Sequence, residues 1–226
     1  MCTQLASACA RNGMRCAVTL SMVLAALASS TTVLAGVIPI APPPSVLPGV
    51  LESNTDAYRF DEQQVLLGVA VAVDIATPGL YDNSNPDDPG VIPAGTWVRS
   101  YFLHRDPVGS AFGVVTGTVI SPTKVLGIIF SDANLDATDP LVGALGTTYP
   151  TGTGFRGMEI PFIITPDEIF WDGNQVTVSF ESDAALVVDQ IRVLAEIPEP
   201  ASATITLSGC FALGWAARRR ARRLAA

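Results

Sequence analysis

Asp132-Ala-Asn134-Leu-Asp136-Ala-Thr138-Asp139 sets oxygen-bearing side chains at alternate positions. Calcium takes six to eight hard oxygen ligands, and a D-x-N-x-D run is one way for a loop to supply them. Asp132, Asn134, Asp136 and Asp139 are therefore the candidate metal ligands, with calcium the candidate ion. The run departs from an EF-hand loop: Ala137 stands at its sixth position, where that loop needs glycine, and Gly143 at its twelfth, where it needs glutamate. Asp82-Asn83-Ser84-Asn85-Pro86-Asp87-Asp88 is a second oxygen-rich stretch, broken by proline. Asn, Asp and Ser are turn formers as well as ligands, so both stretches also suit solvated turns.

Covalent and acid–base chemistry has fewer candidates. His104 is the only histidine. It fits either a general base beside Asp106 or Asp132, or a surface residue at a strand end. His104-Arg105-Asp106 echoes a kinase catalytic loop, but Ala111 occupies the place of the required asparagine. Gly146 to Gly154 is rich in Gly and Thr without the Gly-Lys-Ser/Thr of a phosphate cradle. No G-x-S-x-G elbow occurs. No catalytic residue is assigned, and the expectation is a protein that is not an enzyme. Trp97, Tyr101, Tyr149, Phe155 and Trp171 suit either stacking on sugar rings or packing in a core.

Short β-type runs must position these groups. They are residues 64–75, 96–104, 111–120, 124–130, 155–164, 175–181 and 184–195. Val176, Val178 and Phe180 alternate with Thr177 and Ser179, the period of a strand with one buried face. Asp172-Gly173-Asn174 and Ser182-Asp183 are turn chemistry. Ser121-Pro122-Thr123 separates two runs that read as a hairpin. A turn or two of helix is expected within residues 132–145. Seven or eight strands with little helix predict an all-β protein, an antiparallel β-sandwich of jelly-roll or immunoglobulin-like topology. The closing run Val188-Asp189-Gln190-Ile191-Arg192-Val193 is similar to the last strand of lectin-like and carbohydrate-binding sandwiches.

Composition narrows the partners. Residues 36–197 carry six basic and twenty acidic side chains, a charge near −14. Nucleic acid is not an expected partner, because phosphate binding needs a basic face. Cys2, Cys9, Cys16 and Cys210 all lie outside this stretch, so it has no disulfide and no thiolate for zinc.

The two ends have their own logic. Arg11 and Arg15 precede the apolar run Ala17 to Leu27, and Val33-Leu34-Ala35 offers a cleavage site before Gly36. Residues 1–35 are expected to be a secretory signal peptide. Residues 36–50 hold five prolines and read as an extended linker, leaving 51–197 for the β-domain. At the other end, Pro198-Glu199-Pro200 precedes an uncharged run, Ala201 to Ala217, and then Arg218, Arg219, Arg220, Arg222 and Arg223. Seventeen helical residues rise about 25 Å, the lower limit for crossing a bilayer core. The arginines would stay cytoplasmic.

This order resembles the PEP-CTERM sorting signal of Gram-negative bacteria that secrete exopolysaccharide. The resemblance implies recognition by exosortase through Pro198, Glu199, Pro200 and the five arginines. It further implies a membrane-anchored precursor cut near the motif, then cell-surface or extracellular-matrix delivery. It covers residues 198–226 and leaves the fold of the rest open. The expectation is a structural or binding module associated with exopolysaccharide. The alternative is a secreted carbohydrate-active enzyme on the same scaffold.

Overall fold

The computed structural model describes residues 36–109, 113–152, 156–160, 167–182 and 188–198, all within one compact unit. In chain order the elements are β1 (Val37–Pro39), β2 (Ala57–Leu66), β3 (Val71–Val73), β4 (Gly79–Tyr81), β5 (Gly90–Ile92) and β6 (Trp97–Arg105). They continue with β7 (Gly113–Ile120), β8 (Val125–Ile129), α1 (Asp132–Val142), β9 (Glu168–Asp172), β10 (Gln175–Ser182) and β11 (Asp189–Glu196). The protein is mostly β, as expected.

Five strands form one sheet in the order β1-β2-β6-β11-β8. Only the β1–β2 pair in it is parallel. Four strands form an antiparallel sheet, β4-β9-β10-β7, and β3 pairs with β5 in a small third one. The two large sheets share an apolar core. Tyr101, Leu103, Ile191 and Val193 meet Val115, Val119, Val176 and Val178, all buried. The alternation in β10 works as read: Val176, Val178 and Phe180 are fully buried. Gly173-Asn174 makes the tight turn between β9 and β10, with Asp172 opposite Gln175; Gly173 has the positive φ of 60° that favours glycine there.

The five-stranded sheet is buried on its other face too. There Phe60, Phe102, Leu194 and Ile129 cluster with Leu135 and Val142 of α1, with Val46, and with Val71 and Val73 of β3. A strand covered on both faces loses its polar alternation. That is why β6 is buried at every position from Ser100 to Arg105.

Several expectations change. The runs around Pro122 do not form a hairpin: β7 pairs with β10 and β8 with β11, in different sheets. Each presents valine or isoleucine to a core, a pattern that does not name the partner strand. Residues 64–75 are not one strand, since β2 ends at Leu66 and β3 starts at Val71. Residues 156–160 form bends and coil, and the rest of the expected strand 155–164 lies outside the described residues.

Residues 36–50 belong to the domain. Val37 to Pro39 pairs with Ala57 to Arg59, and Val46 is fully buried. Val46 N–H donates to Thr148 O at 3.0 Å. Proline in an edge strand costs no ladder bond on its solvent side, so a proline-rich stretch can still dock. No helix among the described residues is long and apolar enough to cross a membrane. The expected signal peptide, Glu199, Pro200, the apolar run and the arginines lie outside the described residues.

Val46 separates a docked segment from a stalk. Val46→Ala removes two buried methyl-group equivalents of packing and should cost about 2 kcal/mol of unfolding free energy, read from denaturant midpoints. An unchanged midpoint would return residues 36–50 to the status of a linker.

Candidate functional site

Polar chemistry concentrates where α1 lies on the five-stranded sheet. On that face β2, β6 and β11 bring Glu62, Ser100, His104, Gln190 and Arg192 together. The register pairs His104 with Gln190, and Phe102 with both Phe60 and Arg192. Glu62 reaches this face through a β-bulge. Asp61 opposes Tyr101 and Gln64 opposes Arg99, so Glu62 and Gln63 together oppose Ser100. Such a bulge re-aims side chains. Here it turns Glu62 into the network and lets Gln63 Nε2 donate to Gly143 O at 2.6 Å, at the C-terminus of α1.

Arg192 is the centre. Its guanidinium is fully buried and grips the buried Glu62 carboxylate with two bonds, Nε to Oε2 at 2.7 Å and Nη2 to Oε1 at 2.8 Å. Nη2 also donates to Asp139 Oδ1 at 2.9 Å, and Nη1 to Thr138 Oγ1 at 2.6 Å. Phe102 and Tyr149 lie under the cation, with ring centroids 5.1 and 5.6 Å from its carbon. Burial works against the charge on Arg192. Glu62 and then Asp139 more than offset it and hold the guanidinium protonated more firmly than usual. Tyr149 Oη donates to Glu62 Oε1 at 2.6 Å; burial and the Glu62 charge push its phenol above the ordinary range, so it stays a donor. Ser100 Oγ donates to Glu62 Oε2.

Arg156 extends the network outward. Its buried guanidinium contacts Asp136 Oδ1 at 2.6 Å and both oxygens of Asp139, at 2.7 and 3.0 Å. Its Nε donates to Gln190 Oε1 at 2.7 Å. Gln190 Nε2 then donates to Val46 O at 2.9 Å and to His104 Nδ1 at 3.0 Å. That fixes the histidine tautomer: Nδ1 accepts, so Nε2 carries the proton and donates to Val50 O at 3.1 Å. Burial, with Arg105 and Arg156 nearby, pushes His104 down to about 4 and keeps it neutral. The only histidine is a buried connector, with both ring nitrogens engaged.

The four expected calcium ligands are accounted for differently. Residues 132–142 form a helix, not an ion-wrapping loop. Asp136 and Asp139 hold Arg156. Asp132 Oδ1 accepts the peptide N–H groups of Arg156 and Gly157 at 3.0 and 2.6 Å. Asn134 Nδ2 donates to Asp74 Oδ1 at 2.5 Å. Asp74 also accepts from the N–H groups of Phe130 and Ser131 and from the Ser131 hydroxyl, which ties the N-terminus of α1 to the end of β3. A buried carboxylate is favourable at that end of the helix dipole. The second oxygen-rich stretch closes on itself: Asp82 Oδ1 accepts from Ser84 N, Ser84 Oγ and Asn85 N. Those bonds from Ser84 hold the Asp82 carboxyl below its usual range.

The structure assembles one acidic group that the sequence did not suggest. Oxygens of Glu159, Asp167 and Asp189 lie within 4.8 Å of one another, the only such trio of His, Cys, Asp or Glu among the described residues. They are the hard donors a divalent cation takes, but they come from three separate segments without a spacing signal. Asp167 also accepts the N–H groups of Glu159 and Glu181 at 2.9 and 2.7 Å. Asp189 lies opposite Arg105 in the β6–β11 register and supports its charge against burial. An open cleft of about 520 Å³ is lined by residues 130–133 and 157–160, including Asp132 and Glu159. Of the aromatic candidates, Tyr101 and Trp171 are buried and Trp97 is exposed. Tyr149 is held in the network, and Phe155 lies outside the described residues.

No family model, curated protein or solved structure matches the chain.

His104 generates a pH prediction with a definite sign. Between its unfolded value of 6.5 and its folded value of about 4, only the unfolded chain binds the proton. Its contribution is complete above pH 6.5 and is lost as pH falls toward 4. The loss reaches about 3 kcal/mol at 1.36 kcal/mol per pK unit. The comparison with His104→Gln isolates it: the stability difference between parent and variant should shift by that amount between pH 7 and pH 4. A pH-independent difference would show that the ring is not held neutral.

Proposed function

We propose that this chain is an exported cell-envelope or extracellular-matrix protein, delivered by exosortase, whose β-domain is a structural or binding module associated with exopolysaccharide. One observation carries this. β11 ends at Glu196, and among the described residues the last backbone bond into the sheets is Ile197 N–H to Trp97 O at 3.0 Å. Pro198-Glu199-Pro200 follows at once, with the apolar run and arginines behind it. A cut at the motif would leave every described strand whole, as a sorted domain requires. Signal peptide, transmembrane helix and arginine plug remain part of this reading.

The nested pairing of β6 with β11 and β7 with β10, with β11 between β6 and β8, favours a jelly-roll over an immunoglobulin-like topology. Two groups suited to acid–base work, His104 and Asp139, are engaged in holding elements together, which supports a role other than catalysis. A carbohydrate-active enzyme is the second reading. It rests on the cleft that Asp132 and Glu159 border, although Asp132 already accepts two peptide N–H groups.

Expression in an exosortase-bearing host tests the sorting claim. Glu199→Ala, or serine at the five arginines, should leave an unprocessed precursor in the inner membrane, detected by mass spectrometry of both termini. Normal processing of both variants would contradict delivery by this route.

A further inference from the structure

The edges of the two large sheets are unequal. β1 and β4 have three residues each, and β1 ends in Pro39. The outer side of β8 is covered, because Ile128 exchanges bonds with Ile75 and also accepts from Asp74 N–H. β7 differs. It is an edge strand of eight residues, Gly-Val-Val-Thr-Gly-Thr-Val-Ile, without charge or proline. Among the described residues only β10 pairs with it. Proteins guard long edges with lysine, proline, bulges or covering segments. β7 carries no lysine, proline or bulge, and among the described residues β1 meets it where Val37 packs against Gly117 without joining the ladder.

Its sequence matches itself in reverse. Val115-Thr116-Gly117-Thr118-Val119 is a palindrome centred on Gly117, flanked by Val114 and Ile120. The peptide groups are aimed accordingly. Ser121 N–H donates to Asn174 O on the β10 side at 2.8 Å. The β7–β10 register is unbroken from Gly113 to Ile120, so alternation turns the N–H and C=O groups of Val114, Thr116, Thr118 and Ile120 outward.

We propose that β7 is a self-association edge, where a second copy of this chain adds its own β7 antiparallel about a two-fold axis at Gly117. In that register Thr116 faces Thr118 of the second copy, and Val114 faces Ile120 of the second copy. These pairs use the outward peptide groups. Val114 and Ile120, 51% and 62% exposed, would cover each other. The threonines would repeat the hydroxyl contacts that β7 already makes with β10, Thr118 to Thr177 at 2.9 Å and Thr116 to Ser179 at 3.2 Å. Gly117 would meet its own copy in the close, non-hydrogen-bonded pairing, where strands approach most tightly. Charge selects the same edge. Two bodies near −14 repel, and an uncharged strand lets them approach at least cost. A cleft of about 310 Å³, lined by Val37, Pro39, Arg59, Thr118 and Ile120, leaves space beside the strand. The arrangement is isologous and closes as a dimer with an eight-stranded joined sheet. It stands on the strand itself, independent of how the chain is sorted.

The test is sedimentation equilibrium of the full chain in a density-matched mild detergent. The samples are the parent, Thr116→Lys/Thr118→Lys, Thr116→Glu/Thr118→Glu, and an equimolar mixture of the two variants. Circular dichroism melting confirms that the exposed substitutions leave the fold intact. The parent should be a dimer. Each variant alone should associate about tenfold more weakly or worse, since like charges then face each other twice. The mixture should recover association, because each new ammonium faces a new carboxylate. A monomeric parent, a dimer indifferent to both variants, or a mixture no stronger than its components would each overturn the proposal.

Discussion

The pair of Arg192 and Glu62, both side chains fully buried, is the interaction on which the rest of the described structure depends. An arginine removed from water costs several kcal/mol, and so does its carboxylate partner; only good geometry with further hydrogen bonds offsets that. The chain supplies both. Glu62 takes two bonds from Arg192, one from Tyr149 and one from Ser100. Arg192 adds Asp139 and Thr138 from α1. The bulge in β2, the seating of α1 and the inward turn of Tyr149 follow as conditions for satisfying one cation.

The two faces of the five-stranded sheet therefore do different work. The face toward β7, β9 and β10 is apolar over most of its area, with Arg105 and Asp189 at one end; its apolar part drives collapse without dictating a particular partner. The face toward α1 is directional, because each charged atom has named partners at fixed distances. Arg156, Gln190 and His104 carry that order on to Val46 and Val50 in the N-terminal segment. A domain without cysteine uses this network, with apolar packing around it, where a disulfide could otherwise fasten a segment.

How much was legible depends on sequence distance. The β10 alternation and the Gly173-Asn174 turn are local, and both were readable. The oxygen-rich run 132–139 stands out in the sequence, but its arginine partners do not. Aspartates that suit calcium also suit guanidinium, and Arg156 and Arg192 stand 17 and 53 residues from Asp139. Glu62 and Arg192 are 130 residues apart and carry no spacing signal at all. Asp74 was missed because a lone aspartate after a valine-rich strand looks like any strand end. Residues 36–50 were misjudged because proline reports backbone stiffness, not whether Val46 is buried. The hairpin at Pro122 failed because inward-facing valines identify a buried face without naming the strand beside it.

A double-mutant cycle on Glu62→Met and Arg192→Met, read as unfolding free energy in denaturant, tests the central claim most directly. Each single change strands a buried charge and should cost about 3–5 kcal/mol. The double change removes both charges, so its loss should fall short of the summed single losses by about 2 kcal/mol or more. Single losses that add to within about 0.5 kcal/mol would contradict the account, since the two side chains would then be energetically independent.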